Sequence, residues 1–143
     1  MAELRTGLTA GPLDVAATIA SVADEDCGGT AVFVGTVRQS AVSGAEGRRV
    51  VRLEYDAHPQ LADQQLNEIC LSAQDKWGLS QVIARHRTGS CDVGQPTVVV
   101  ACSAPHRAEA LEACRYIIDA IKEGVPIWKR EVYDDGSIWV GAD

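Results

Sequence analysis

Apolar residues recur at helical spacing in three segments of the chain. These segments cover residues 12–24, 59–77 and 105–124, and each predicts an amphipathic helix. The third pattern is the clearest, because Pro105 stands at its start and Gly124 just past its end. We expect this helix to bury one apolar face, formed by Ala110, Leu111, Cys114, Ile117, Ile118 and Ile121.

Strand-like patterns fill the intervals between these helices. Residues 28–38 are rich in β-branched side chains and begin with two glycines, which predicts a buried strand that ends near Arg38. The tail over 126–140 predicts a hairpin that turns at the sequence DDG. Alternation of apolar and polar residues predicts three further strands, over residues 50–58, 79–90 and 95–104.

The order of the elements indicates the fold class. The predicted order is helix, strand, strand, helix, two strands, helix and hairpin. This order lacks the regular alternation of a doubly wound parallel sheet. The sequence therefore predicts an α+β fold with a mainly antiparallel sheet, flanking helices and a small C-terminal hairpin. We expect a single domain over 1–143, with a mobile loop over 39–49 because that segment is small, polar and contains glycine.

Composition narrows the classes of ligand. A net charge of -7 and a pI of about 4.9 argue against general binding to nucleic acids or acidic membranes, so an anionic ligand would need a local basic pocket. The five cysteines lack paired C-x-x-C spacing, which predicts reduced, mostly buried thiols in a cytoplasmic protein and no metal site. A cysteine nucleophile stays a minor alternative. The N-terminal segment shows no secretory signal and no membrane span.

Two of the three lysines lie close together near the C-terminus. Lys122 falls in the last turn of the third predicted helix, where a cation is electrostatically favourable in any case. Lys129 lies in a strand-like segment, and alternation places it on the opposite face from Trp128 and Arg130. The short EGVP turn could let both ammonium groups converge, which would attract an anionic ligand.

His106 and Arg107 form a basic pair in the first turn of the same helix. Free N–H groups and the helix dipole favour a bound anion there, so the pair fits phosphate or carboxylate capture. The alternative is a solvated pair in which Arg107 meets an acidic residue of its own helix. Sixteen residues separate His106 from Lys122, roughly 24 Å along a helix. If both are functional, the simplest arrangement is a site shared between two protomers.

Other polar residues have simpler interpretations. Arg38, at a strand end beside the predicted loop, is a candidate anion ligand or a solvated arginine. Alternation should turn one of His86 and Arg87 inward, and we interpret His86 as structural, like His58 near a helix start. The sequence shows no Ser/His/Asp grouping, no phosphate loop and no cluster with metal-ligand spacing.

These residues lie in motifs that together resemble the large, catalytic subunit of molybdopterin synthase. The motifs run in family order over roughly 28–140, and the most specific feature is S-x-x-H-R followed at the right distance by K-x-x-x-P-x-W-K-[KR]-E. The matching stretches are GGTAVFVGTVR, LEYDAHPQLAD, WGL, HRTG, SAPHRAEALEA, IIDAIKEGVPIWKRE and the closing WV.

The resemblance implies an activity and an assembly. Members of that family are described as sulfurtransferases of molybdenum cofactor biosynthesis, which convert cyclic pyranopterin monophosphate to molybdopterin. Two sulfurs arrive as a thiocarboxylate on the C-terminal Gly-Gly tail of a small ubiquitin-like subunit, and the tail inserts into the large subunit. The resemblance further implies an α/β-hammerhead fold and a homodimer of large subunits within a heterotetramer. It implies no cofactor, and the net charge already argues against nucleic acid and membrane partners.

The resemblance also implies roles for single residues. Lys122 matches the central catalytic lysine, which steers the thiocarboxylate and assists acyl transfer or proton movement, and Lys129 matches a second lysine that stabilises negative charge. His106 and Arg107 match the pair that binds the pterin phosphate from the neighbouring protomer. The remaining matches, to substrate-binding positions, are Thr36, Val37, Arg38, Arg130 and Glu131, the last orienting a lysine.

Two positions depart from the family pattern, and two other functions compete with it. Gly124 stands where some relatives carry a basic residue, and His58 stands where an aromatic residue is common. A stand-alone acyl or phosphoryl transferase would act through the same lysines without a protein partner. A dimeric adaptor would clamp the glycine tail of a ubiquitin-like protein without chemistry.

Overall fold

The computed structural model describes residues 4–40 and 47–142, which form eight strands and three helices. All three predicted helices are present, but the first begins later than Pro12, because the Asp14 side chain caps it by accepting a hydrogen bond from Ala17 N at 2.9 Å. The elements are β1 (Gly7–Thr9), α1 (Val15–Ser21), β2 (Gly29–Thr36), β3 (Val50–Ala57), α2 (Pro59–Trp77), β4 (Gln81–Arg87), β5 (Gly89–Asp92), β6 (Pro96–Ala104), α3 (Arg107–Gly124), β7 (Ile127–Tyr133) and β8 (Ile138–Ala142).

The described strands form two sheets of four. The first sheet has the order β1-β4-β6-β2 and the second has the order β5-β3-β7-β8. Every pairing is antiparallel except that of β1 with β4. The predicted α+β class with mainly antiparallel pairing is therefore confirmed. The predicted C-terminal hairpin is β7–β8, and because β7 also pairs with β3, the hairpin forms half of the second sheet.

Helices cover both faces of the first sheet. α3 packs on β2 and β6, α2 packs on β1, β4 and α3, and α1 packs against β4 and β6 from the other side. The inner strand β6 is buried from Thr97 to Ala104, which explains its unbroken run of small and apolar residues.

Two expectations of burial are wrong. β2 lies at the edge of the first sheet, so Val32 and Phe33 remain 36% and 39% exposed. Leu111, expected on the buried face of α3, is 61% exposed and lines a groove beside β2, the edge strand. These residues border one apolar groove of about 320 Å³, here called the β2–α3 surface, lined by Ala31, Val32, Phe33, Leu111, Cys114, Arg115 and Ile118.

The sequence pattern missed β1 and β5, which have three and four residues. β5 follows β4 after Thr88 but crosses to the second sheet and pairs with β3. Of the predicted loop over 39–49, residues 41–46 lie outside the described residues. At its base Ser40 bridges to Arg49, and Val50 N donates to Gln39 O at 2.8 Å.

His86 and Arg87 are both buried, so the expectation that one of them points outward is wrong. Arg87 is the last residue of β4, and its guanidinium turns back to donate to Ala10 O at 3.3 Å and to Gln95 Oε1 at 3.2 Å. His86 packs between the two sheets, where its ring meets the Tyr55 ring edge-on, with the two ring centroids 4.9 Å apart.

All five cysteines are free, and four of them are buried while Cys27 is half-buried, which confirms the prediction of mostly buried thiols. Within residues 4–40 and 47–142, no group of three or more His, Cys, Asp or Glu side chains could hold a metal ion. Over the same ranges, no helix has the length and apolar character needed to cross a bilayer.

Candidate functional site

A cavity of about 410 Å³ opens where the end of α3 meets the edge of the first sheet and the inner face of the second. Five of the nine predicted site residues line it, and four of these carry charged side chains. The predicted residues are Thr36, Arg38, Lys122, Lys129 and Glu131, and the others are Phe33, Gly35, Leu53, Tyr55, Thr97 and Val98. This set is called the site cavity below.

The pairing of β3 with β7 places Lys129 and Glu131 on the cavity side of the second sheet. Lys129 lies opposite Tyr55, and Glu131 lies opposite Leu53, so alternate positions of both strands share this face. Trp128 and Arg130 point to the other face, as the alternation predicted. There Arg130 Nη1 lies 3.5 Å from a Glu54 carboxylate oxygen, away from the site cavity.

Lys122 reaches the site cavity from the last turn of α3. The helix ends at Gly124, and the backbone N–H of Val125 closes it by donating to Ile121 O at 3.2 Å. Pro126 then leads directly into β7, because proline cannot continue a helix. Lys122 and Lys129 therefore line the same cavity.

The irregular end of β2 brings Thr36 and Arg38 to the same cavity. The register of β2 against β6 shifts between Gly35 and Thr36, and Thr97 Oγ1 donates to Gly35 O at 3.3 Å. A Cβ at Gly35 would lie only 2.7 Å from Val98 Cγ1, so a larger residue here would have to displace the Val98 side chain at the wall of the cavity. Val37 is 2% exposed and does not line the site cavity, although its neighbours do.

Glu131 is a buried acidic residue at the wall of this basic cavity. It is 2% exposed, and its Oε1 accepts a hydrogen bond of 2.8 Å from the hydroxyl of Tyr133, which is 3% exposed. Burial, followed by the hydrogen bond and charge of Glu131, raises the pKa of Tyr133. The guanidinium carbon of Arg48 lies over the Tyr133 ring, 5.2 Å from its centroid, and Arg48 Nη1 donates a hydrogen bond to Ser137 Oγ at 2.7 Å. The carboxyl group is thus held by the base of the β7–β8 hairpin.

His106 and Arg107 lie at the opposite end of α3 and do not line the site cavity. Both are exposed, and His106 stands at the N-cap position without a side-chain capping bond. Glycine at position 29 lets this helix start approach β2, because a Cβ there would lie 3.0 Å from Arg107 Cα. The structure therefore brings the two lysines together and leaves the His-Arg pair apart from them within one chain.

Sequence reasoning missed the uncharged half of the site cavity. Phe33 borders both this cavity and the β2–α3 surface, and Tyr55 joins the cavity to the buried His86. Strand alternation could have found Tyr55, since it shares a face with Leu53 on β3. No local signal identifies Thr97 and Val98, because they reach the cavity only through the pairing of β6 with β2.

His58 has a structural role at the start of α2. Its Nδ1 accepts a hydrogen bond from Leu61 N at 3.2 Å, so this histidine acts as the N-cap. Pro59 follows at the first helical position, where its lack of an N–H costs nothing. The departure from an aromatic residue at position 58 therefore serves the helix and lies outside the site cavity.

Most of the chain is similar in sequence to catalytic subunits of molybdopterin synthase from other organisms. A rice (Oryza sativa subsp. indica) molybdopterin synthase catalytic subunit is 46% identical over 129 residues, which cover 90% of this chain and 65% of the rice protein. The Bacillus subtilis molybdopterin synthase catalytic subunit is 39% identical over 137 residues, which cover 96% of this chain and 85% of that protein. The chain thus spans just under two thirds of the rice protein and most of the bacterial one.

The fold has a close match among solved structures. The crystal structure of molybdopterin synthase from Staphylococcus aureus superposes with a TM-score of 0.87 at 30% identity, covering 96% of this chain and 97% of that one. Residues 8–124 match the family model described as MoaE protein. This range includes the whole of α3, from the His-Arg pair at its start to Lys122 at its end. The chain therefore belongs to the MoaE protein family, as the sequence motifs indicated.

Proposed function

We propose that this chain is the catalytic subunit of a molybdopterin synthase, folded as one catalytic domain over 1–143. It would convert cyclic pyranopterin monophosphate to molybdopterin with sulfur from the C-terminal thiocarboxylate of a small ubiquitin-like subunit. Each transfer replaces one C–O bond of the pterin side chain by a C–S bond and the C–S bond of one thiocarboxylate by a C–O bond, with water carrying the exchanged oxygen, so the tail leaves as a carboxylate. Two such transfers build the dithiolene.

The observation that carries the proposal is the meeting of Arg38, Lys122 and Lys129 at one cavity in a chain of net charge -7. An acidic protein repels anions at long range, so a thiocarboxylate and a pterin phosphate require concentrated local cations. Two of the three lysines in the chain line this cavity. The arrangement fits an anionic substrate and an anionic protein tail bound side by side.

Five side chains of the site cavity receive roles. Lys122 steers the thiocarboxylate and assists acyl transfer or proton movement, while Lys129 stabilises negative charge on the tail or the pterin. Arg38 and Thr36 bind the pterin at the end of β2. Glu131, held by Tyr133, orients a lysine. Binding roles for Val37 and Arg130 stay predictions, since neither lines the cavity.

The same proposal includes a homodimer with a shared site. His106 lies at the other end of α3 from Lys122, roughly 24 Å away along the helix axis. The exposed β2–α3 surface runs beside the middle of this helix and borders the site cavity at Phe33. A two-fold axis through that surface and perpendicular to α3 would make the two α3 helices antiparallel, so each His-Arg pair would approach the lysines of its partner.

Lysine variants test the chemistry. The assay combines the purified chain, a thiocarboxylated small subunit and cyclic pyranopterin monophosphate, and it measures dithiolene pterin. Lys122→Ala should abolish turnover while binding of the small subunit survives in part. The control is Lys76→Ala, because this third lysine lies on α2 and does not line the site cavity. Its Nζ lies 4.5 Å from the centroid of the Trp77 ring. Near-normal turnover of Lys122→Ala would refute its catalytic role.

Mixing two inactive variants tests the shared site. Lys122→Ala and Arg107→Ala should each be inactive alone. In a mixed dimer with shared sites, one site carries both substitutions and the other carries neither. Random exchange of protomers should then restore about a quarter of wild-type activity. No recovery after proven exchange, or a cleanly monomeric active chain in ultracentrifugation, would exclude the arrangement.

The same assay separates the competing functions. Product that forms without the small subunit would favour a stand-alone transferase. A stable complex with the small subunit that never yields product would favour the adaptor. We also propose a cytoplasmic location, which is supported by five free cysteines, since disulfides are rare in reducing compartments.

A further inference from the structure

The segment Trp139-Val140-Gly141 of β8 lies beside the site cavity, yet none of the roles above uses it. In the β7–β8 ladder, Gly141 lies opposite Lys129 and Trp139 lies opposite Glu131. Strand alternation therefore places Trp139 and Gly141 on the same face of the second sheet as the two charged residues. The indole of Trp139 has its ring centroid 6.0 Å from Lys129 Nζ.

The absence of a side chain at position 141 lets the indole take this place. A Cβ at Gly141 would lie 2.7 Å from Cζ2 and 2.9 Å from Cζ3 of Trp139, and closer still to Cη2. Real Cβ atoms do not approach other atoms so closely. The backbone of Gly141 does not adopt a positive φ, so its conformation is open to any residue. Glycine is needed here for space, because the ring lies across the strand at this residue.

We infer that Trp139 is a positioning residue for Lys129: its indole, lying over Gly141, holds the lysine ammonium at the wall of the site cavity. This inference rests on the proposed function, because that function makes Lys129 a reacting-site residue. A lysine side chain has four rotatable bonds and loses much conformational freedom when its end is fixed. An aromatic face attracts the ammonium through its quadrupole. The half-buried ring also packs against the core, which fixes its own position.

The first test observes the contact without any enzyme assay. The chain has only three lysines, so selective ¹³C labelling of lysine gives three resolvable ε-methylene signals, assigned by single Lys→Arg variants. Protons above an aromatic ring are shifted upfield. Lys76, whose Nζ lies 4.5 Å from the Trp77 centroid, provides an internal reference for such a shift. Trp139→Leu should move the Lys129 signal downfield and leave the Lys76 signal unchanged.

Gly141→Ala is the sharper variant, because it leaves the indole chemically intact and only displaces it. It should move the Lys129 signal in the same direction as Trp139→Leu. Gly11→Ala is the matched control, since nothing lies within 4 Å of a Cβ at Gly11. An unchanged Lys129 signal in both Trp139→Leu and Gly141→Ala would overturn the inference, whatever the activity of the wild-type chain.

The second test measures sulfur transfer. Trp139→Leu and Gly141→Ala should each lower kcat by about two- to fivefold, the loss expected for one cation–π contact that is still accessible to solvent. The loss should appear in kcat rather than KM, because Lys129 acts on charge that develops during transfer. Trp139→Phe should recover part of the activity.

The double variant distinguishes a positioning role from general damage to the strand. Adding Gly141→Ala to Trp139→Leu should cost nothing further, because no indole remains to be displaced. Losses that multiply in the double variant would overturn the inference. A wild-type chain that makes no product would refute the proposed function instead, and the lysine signals would still decide whether Trp139 holds Lys129.

Discussion

The hydrogen bond from Tyr133 to Glu131 gives a quantitative test of how the site cavity is held. In Tyr133→Phe the ring and its contact with Arg48 remain, and only the hydroxyl is removed. That hydroxyl donates at 2.8 Å to the carboxyl group of Glu131, and both residues are at most 3% exposed. A hydrogen bond to a charged group contributes about 1.5–3 kcal/mol, and water cannot easily replace a donor at a buried position. We expect the free energy of unfolding to fall by this amount.

Urea unfolding at neutral pH measures the loss. Tyr116→Phe is the control, because the Tyr116 ring packs on Trp77, with centroids 5.1 Å apart, and the residue is only partly buried. A loss below about 0.5 kcal/mol for Tyr133→Phe, or an equal loss in both variants, would show that this hydrogen bond does not hold Glu131. Turnover should fall together with stability, since Glu131 lines the site cavity.

Alkaline pH gives the same hydrogen bond a second signature. Burial, with the hydrogen bond to Glu131, raises the pKa of Tyr133 in the folded chain. A raised folded-state pKa means that the stabilisation is fully present below the unfolded pKa of about 10 and is lost as pH rises through the folded value. The stability difference between wild type and Tyr133→Phe should therefore shrink above about pH 10. A difference that stays constant there would contradict this reasoning.

Two further predictions concern packing and thiols. Gly29→Ala should lower the free energy of unfolding by about 1–3 kcal/mol, because its Cβ would lie 3.0 Å from Cα and 3.1 Å from N of Arg107, backbone atoms that cannot rotate away. Urea unfolding beside Gly11→Ala checks this, and equal stabilities would contradict it. In titration with an aromatic disulfide reagent, half-buried Cys27 should react first, whereas Cys70, whose pKa burial raises to about 11, should react only on unfolding. A fast phase that persists in Cys27→Ser would refute this order.

The helices were the most predictable part of the fold. α2 and α3 carry their own boundary signals, namely proline at or near the start and glycine at the end, together with an apolar stripe. The inner position of Lys129 was predictable for a similar reason, since alternation within one strand needs no knowledge of its neighbours. Leu111 shows the limit of such patterns, because helical spacing cannot tell whether a partner element covers that side of α3.

The strands were less predictable, because their environment comes from other parts of the chain. The residues of β2 predict a buried strand, but β2 lies at the edge of the first sheet. Its edge position is decided only by the order in which the strands pair. β1 and β5 are too short to carry a period of their own, and they become strands through pairing with β4 and β3. Such non-local hydrogen bonds leave no local signature in the sequence.

The sequence by itself determined the family, the α+β class, and the types of residue that meet at the site: two lysines, an arginine and a carboxylate in an acidic chain. Those features are carried by residue identity and by periods within single elements. Only the tertiary structure decided that Tyr55 and Thr97 complete the site cavity and that Trp139 rests on Gly141 beside Lys129. These relations depend on strand register and on the closeness of backbones, which arise from packing between residues that are distant in the chain.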